Sequence, residues 1–92
     1  MEFEWYARKA AANLRKHGVS FEEATTVFGD SLSVTAADPG HSAGEHRYIT
    51  VGLSSLDRLL MVAHSERGDR LRIISARTLT RKEKRAYENW EE

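Results

Sequence analysis

The stretch "HSERGDRLRIISAR", residues 64–77, reads as two strands joined at Gly68-Asp69. A two-residue loop with glycine suits a tight antiparallel hairpin. The segment carries four arginines, a histidine and two acids, where a hairpin ordinarily shows lysine, threonine or glutamate to solvent. The turn sets a register: Arg67 opposite Arg70, Ser65 opposite Arg72, His64 opposite Ile73. A second two-residue turn at Leu56-Asp57 would set Leu53 opposite Leu60, Val51 opposite Val62, Ile49 opposite His64, Tyr48 opposite Ser65 and His46 opposite Arg67. Side chains alternate between faces along a strand, so the register divides them. One face collects Ile49, Val51, Leu53, Leu60, Val62, Leu71 and Ile73, with Arg47, His64, Glu66 and Arg77 towards its ends. The other collects His46, Tyr48, Thr50, Ser65, Arg67, Arg70 and Arg72, with Met61, Ala63, Ile74 and Ala76 at the far end. A slip of one residue would move a whole strand's set to the other face.

The rest of the chain supplies helices. "FEW" at 3–5 suits a short first strand. "ARKAAANLRKH" is rich in helix formers and ends at Gly18, a residue suited to a helix exit; Leu14 follows Ala10 by four and shares its face. Ser20 and Glu23 have capping-box spacing, with Val19 and Ala24 placed as a hydrophobic staple. Phe21, Ala24 and Phe28 fall on one side of this second helix, and Gly29 stops it. "SLSVTA" alternates like a strand, and "DPGHSAGE" is a loop. Strands follow at roughly 46–54, 58–67 and 70–77. Thr80 and Glu83 open a last helix with Ala86, Tyr87 and Trp90 on one stripe. The class is α+β: a short N-terminal strand, two N-terminal helices, an antiparallel β-meander and a C-terminal helix, the helices covering one face of the sheet.

Ninety-two residues, 40% of them hydrophobic, suggest a single domain over 1–92 with one modest core. There is no cysteine, so no disulfide or thiolate chemistry. "MEFEW" is not a signal peptide, and "LLMVA" is far short of the roughly 20 apolar residues that cross a bilayer; a soluble cytoplasmic protein is expected. Net charge is zero but polarised. From 17 to 57, one arginine faces six acids, a net of −5; from 58 to 85, nine basic residues face three acids, a net of +6. Such a domain can attract a polyanion with one region; a solvated basic surface is the plain alternative.

Three arginines with a histidine, a tyrosine and hydroxyls suggest phosphate chemistry. The guanidinium fork binds two phosphate oxygens and stays charged. Aromatic rings stack on unpaired bases, and histidine moves protons near neutral pH. These are the ingredients of metal-free RNA cleavage, in which the 2′-hydroxyl attacks the adjacent phosphorus. A protein-docking surface is the other reading, and the bare sequence leans towards it, because arginine and tyrosine are favoured at interfaces. His17, His41, His46 and His64 show no metal-ligand spacing, so no metal site is expected. His17 suits a helix C-terminus, and His64 a satisfied position at the core edge. No serine lies in a nucleophile elbow.

Trp5, Lys9, Asn13, "KHGVSFEEA", "HS" at 41–42, Glu45, Arg47, "GLS", "HSERGD", "RIISAR", Glu83, Arg85 and Tyr87 occur in an order that resembles the BrnT family of bacterial type II toxins over essentially the whole chain. The resemblance implies a RelE-like ribonuclease fold, RNA cleavage that stops translation, and no cofactor. It also implies a cognate BrnA-like ribbon-helix-helix antitoxin, often two toxins to two antitoxins, with RNA, free or ribosome-bound, as substrate. The family usually reads Trp-Asp where this chain has Trp5-Tyr6, and often Asp-Pro at Asp30-Ser31. Losing the first carboxylate would remove an ion partner or functional acid near Lys9; Tyr6 is then drift, or a change that weakens toxicity.

Together these assign Arg67 and Arg72 to the scissile phosphate, His46 to proton transfer and Tyr48 to stacking or hydrogen bonding. Arg70, Lys82 and Arg85 would hold flanking phosphates, and His64 with Arg77 forms a second candidate site.

Overall fold

A computed structural model describes residues 1–38 and 46–89. The order is β1 (Glu2–Glu4), α1 (Ala7–His17), α2 (Phe21–Thr26), a 3-10 turn (Val27–Gly29), β2 (Val34–Ala37), β3 (Arg47–Leu53), β4 (Leu59–Arg67), β5 (Arg70–Thr78) and α3 (Arg81–Glu88). The class is α+β, as expected. The five strands form one sheet in the order β1-β5-β4-β3-β2. β2 to β5 pair antiparallel; β1 adds parallel to β5, which makes the sheet mixed.

The β4–β5 hairpin follows its turn. Gly68 has φ 65 and Asp69 does not go positive, as a loop with glycine first requires. Arg67 pairs with Arg70, Ser65 with Arg72 and His64 with Ile73, as the sequence indicates. A β-bulge then leaves Ile74 out of the pairing, so Ala63 meets Ser75, Val62 meets Ala76 and Met61 meets Arg77. The extra residue exchanges the two faces for the remainder of β5. Ala76 is therefore fully buried in the core, and Arg77 stands on the side opposite Leu60, Val62 and His64, against expectation.

The β3–β4 connection also differs. Ser54 N–H donates to the Arg58 carbonyl at 2.8 Å and closes a three-residue loop, Ser55-Leu56-Asp57. Asp57, at φ 60, takes the left-handed position that such a loop needs, which aspartate tolerates. One loop residue more than expected shifts the register by one. Arg47 meets Ser65, Tyr48 meets His64, Thr50 meets Val62 and Val51 meets Met61. Every β3 side chain consequently changes sides. Ile49, Val51 and Leu53 leave the face of Leu60 and Val62, and Tyr48 and Thr50 join it.

That face packs under α1 and α2. Val19, Phe21, Ala24, Val27, Leu60, Val62, Ile73 and Ala76 are the buried core, with Phe3, Trp5, Ala10 and Phe28 against it. Each large aliphatic or aromatic side chain contributes about 1.5–3 kcal/mol by leaving water. On α1 the inward position belongs to Asn13, not Leu14, which is 51% exposed. Asn13 donates to the carbonyls of Val19 (3.0 Å) and Ala76 (2.8 Å) and accepts from Ala76 N–H (3.1 Å). One amide thus joins α1, the turn after it and β5.

Ser20 caps α2 by accepting from Glu23 N–H at 3.0 Å. The Glu23 carboxylate does not close the capping box. It is buried and accepts from Ser54 Oγ (2.7 Å) and from Arg58 Nε and Nη2 (Nε at 3.0 Å). The hydrogen bond from Arg58 holds its pKa below the usual carboxylate value. Gly52 admits the 3-10 turn: a Cβ there would lie 2.9 Å from Ser33 Cβ and 3.0 Å from Val27 Cγ1.

The opposite face is covered in part by α3, so helices lie on both faces rather than one. The Thr80–Glu83 capping box is complete. Arg77 forks onto Glu83 at 2.8 and 2.9 Å, and Tyr87 Oη donates to the Leu32 carbonyl at 2.9 Å. Ala86 and Tyr87 face Val34, Val51, Met61 and Leu79 across an apolar cavity of about 250 Å³. Trp90, expected on the same stripe, lies outside the described residues, as do the expected loop residues 39–45.

Candidate functional site

The half of this second face nearest the β4–β5 turn is basic. Cross-strand partners share a face, so pairing writes out its rows. One row crosses four strands: Arg47 (β3), Ser65 (β4), Arg72 (β5) and Glu4 (β1). The next is Arg67, Arg70 and Glu2. Arg67 and Arg70 are exposed; Arg47 and Arg72 are half-buried. Arg70 reaches Glu4 at 3.5 Å and Glu2 at 3.8 Å. Such exposed pairs are weak and screened by salt. Among the described residues, Arg67 makes no side-chain hydrogen bond or ion pair.

Ser65 sits at the centre of the long row. Its side chain is fully buried, and Oγ has no hydrogen-bond partner among the described residues. At the β1 edge, the Arg72 guanidinium lies 5.5 Å from the centre of the Tyr6 ring, and its Nη1 donates to Tyr6 Oη at 3.3 Å. Tyr6 is 56% exposed. Four arginines thus face Glu2 and Glu4 on this surface, with Asp38 beside Arg47 at the β2 edge (its N–H donates to the Arg47 carbonyl at 2.9 Å), which still leaves it positive.

The arginine cluster expected from the turn is therefore assembled, with Ser65, but two expected members are displaced. Tyr48 stands on the α1/α2 face, where its ring stacks on His64 at 5.9 Å. His46 is exposed and precedes β3; pairing ends at Arg47–Ser65, so no strand register sets His46 opposite Arg67. Both displacements follow from the three-residue loop. The second candidate pair also separates: His64 is on the α1/α2 face and Arg77 on the other, bound to α3. Lys82 and Arg85 are exposed on α3, on the arginine side of the sheet but at its other end.

His64 is 4% exposed. Nε2 shares a 2.7 Å hydrogen bond with Thr50 Oγ1, which shares another of 2.7 Å with Thr35 Oγ1. Phe28 closes on the ring edge-to-face at 5.0 Å. Burial pushes the imidazole down from 6.5 to about 4, so it is neutral at pH 7. A neutral, enclosed ring packs and hydrogen-bonds; it does not carry protons to a substrate on the opposite face.

Two residues of the site were not identified from sequence. A two-residue turn at Leu56-Asp57 places Arg47 on the core face, and Tyr6 reads only as a departure from the family pattern. The signal for Arg47 was Asp57, a residue tolerant of positive φ at the third loop position. For Tyr6 it was the parallel pairing of β1, which local patterns do not carry. Among the described residues, no three His, Asp or Glu side chains converge as a metal site, and no helix is long and apolar enough to cross a membrane.

A crystal structure of the Brucella abortus ribonuclease toxin BrnT is similar to this fold, with a TM-score of 0.65 at 21% identity, over 88% of this chain and 99% of that one. No curated protein matches the chain by sequence. The family profile described as the ribonuclease toxin, BrnT, of type II toxin-antitoxin systems matches residues 5–83. A match over that length, with a fold like that of the Brucella toxin, means that the chain belongs to the BrnT family of ribonuclease toxins of type II toxin-antitoxin systems.

Proposed function

We propose that the chain cleaves RNA on the arginine face of its sheet, without a metal, in the manner of RelE-like ribonucleases, and so arrests translation in the cytoplasm. The observation that supports this reading is the row Arg47–Ser65–Arg72 with Arg67 and Arg70 beside it on one surface. Arginines suit the charge that develops on phosphorus as a fifth oxygen approaches. Arg67 and Arg72 bind the scissile phosphate, with Arg47 from the neighbouring strand; Ser65 Oγ lies among them. The 2′ oxygen bonds to phosphorus, the bond to the 5′ oxygen breaks, and a 2′,3′-cyclic phosphate and a 5′-hydroxyl result. His46, exposed beside Arg47 at the rim, accepts the 2′-hydroxyl proton, and the leaving oxygen takes one from solvent. Arg70, Lys82 and Arg85 hold flanking phosphates.

A BrnA-like ribbon-helix-helix antitoxin, two per two toxins, would neutralise the chain by covering this face. Purified protein incubated with RNA in EDTA should yield fragments with 2′,3′-cyclic phosphate ends, and adding the antitoxin should stop them. Cutting only of messages under translation would assign the ribosome a part. Intact RNA in both settings, with binding retained, would leave a non-catalytic binding module. Growth arrest undiminished in the Arg67→Ala, Arg72→Ala double variant at equal expression would remove those two arginines from the mechanism.

A further inference from the structure

We infer that Tyr6 is a nucleobase-stacking residue, which holds the unpaired base next to the phosphate bound by Arg72 and so selects single-stranded RNA. This rests on the proposed binding of RNA to the arginine face. The register removes Tyr48 from that face, and β1 brings Tyr6 to it. The residue is at the junction of β1 and α1, with extended backbone (φ −86, ψ 128). The residue is 56% exposed, which leaves it open to a partner. Arg72 lies against the ring at 5.5 Å and is tethered to its hydroxyl. That contact fixes the distance between a phosphate-binding fork and an aromatic plane. Alternating phosphate and base present the same two features along a single strand. A duplex keeps its bases inside the stack, so the ring has a partner only when a base is unpaired.

The experiment compares two probes that cannot be cleaved for want of a 2′-hydroxyl: a short 2′-O-methyl oligoadenylate and a deoxyribose-phosphate oligomer of the same length without bases. Binding is read by fluorescence anisotropy. The expected result for Tyr6→Leu is a fall of about tenfold in the ratio of oligoadenylate to abasic affinity, because stacking on one ring is worth roughly that much. Tyr6→Trp should hold or raise the ratio, and Tyr6→Phe should keep most of it, since the ring and not the hydroxyl stacks. Arg72→Ala should weaken both probes together. An unchanged ratio in Tyr6→Leu, with oligoadenylate bound by the parent protein, overturns the role of Tyr6 and leaves the arginine face standing. Failure of the parent protein to bind either probe overturns the RNA-binding reading itself, and this inference with it. A rise in the ratio in Tyr6→Asp would mean that the ring hinders RNA, the opposite of the role assigned.

Discussion

Tyr6 occupies the N-cap of α1 without capping it: its side chain makes no cap hydrogen bond, and the first turn holds no acid. An aspartate here would accept from a first-turn N–H. Tyr6→Asp should therefore stabilise the fold by about 1 kcal/mol and raise Tm by a few degrees in thermal unfolding. The same carboxylate beside Arg72 should weaken oligonucleotide binding, so one change moves stability and binding in opposite directions. Asn13 has the reverse character. Among the described residues, its amide serves only the backbone of Val19 and Ala76. Asn13→Ala strands buried groups and should cost roughly 2–4 kcal/mol in denaturant unfolding, at an unchanged specific activity of the folded fraction. At His64, burial depresses the folded pKa to about 4 from 6.5. The fold favours the neutral ring, so this contribution is full above pH 6.5 and is lost as pH falls towards 4. It is worth about 3 kcal/mol by linkage, and His64→Gln should flatten the stability profile across that window.

At the scale of elements, α3 and the β3–β4 loop carry the lesson. No residue of α3 is buried. Its hold on the sheet is the Arg77–Glu83 fork, the Tyr87–Leu32 hydrogen bond and the apolar cavity wall. The Arg77 hydrogen bond, aided by the Thr80 backbone, pulls the Glu83 pKa down to about 2. A lowered carboxylate pKa stabilises above the ordinary value of 4.5 and is lost as pH falls towards 2. The protection of α3 amides, taken relative to intrinsic exchange at each pH, should therefore fall across that range ahead of the core strands. Thr80→Ala should loosen the same helix by about 1 kcal/mol. The capping box was legible because both members are three residues apart in one segment. The loop was not, because a single added residue at Ser55-Leu56-Asp57 is decided by how β3 seats against the core. Gly52 must lie under Val27 and Ser33, and Thr50 must reach His64; both requirements hold only in the observed register.

For the molecule as a whole, the polarised charge acquires a location. Oligonucleotide binding on the arginine face should weaken linearly in log affinity against log salt, with a slope that Arg67→Ala reduces by about 0.7 for a single strand. Local sequence was enough to place the strand and helix segments, the hairpin at Gly68-Asp69 and the grouping of Ser65, Arg67, Arg70 and Arg72. Each depends on residues a few positions apart, where alternation, turn chemistry and caps act. What stands beside them came from long-range packing. The loop at Asp57 and the bulge at Ile74 exchanged Tyr48 for Arg47 and sent Arg77 to α3, and β1 brought in Tyr6 from 66 positions away in the chain. The physical reason is the two-residue period of a strand: one residue gained in a loop or bulge reverses a face, and its place is set by long-range packing that no local pattern records.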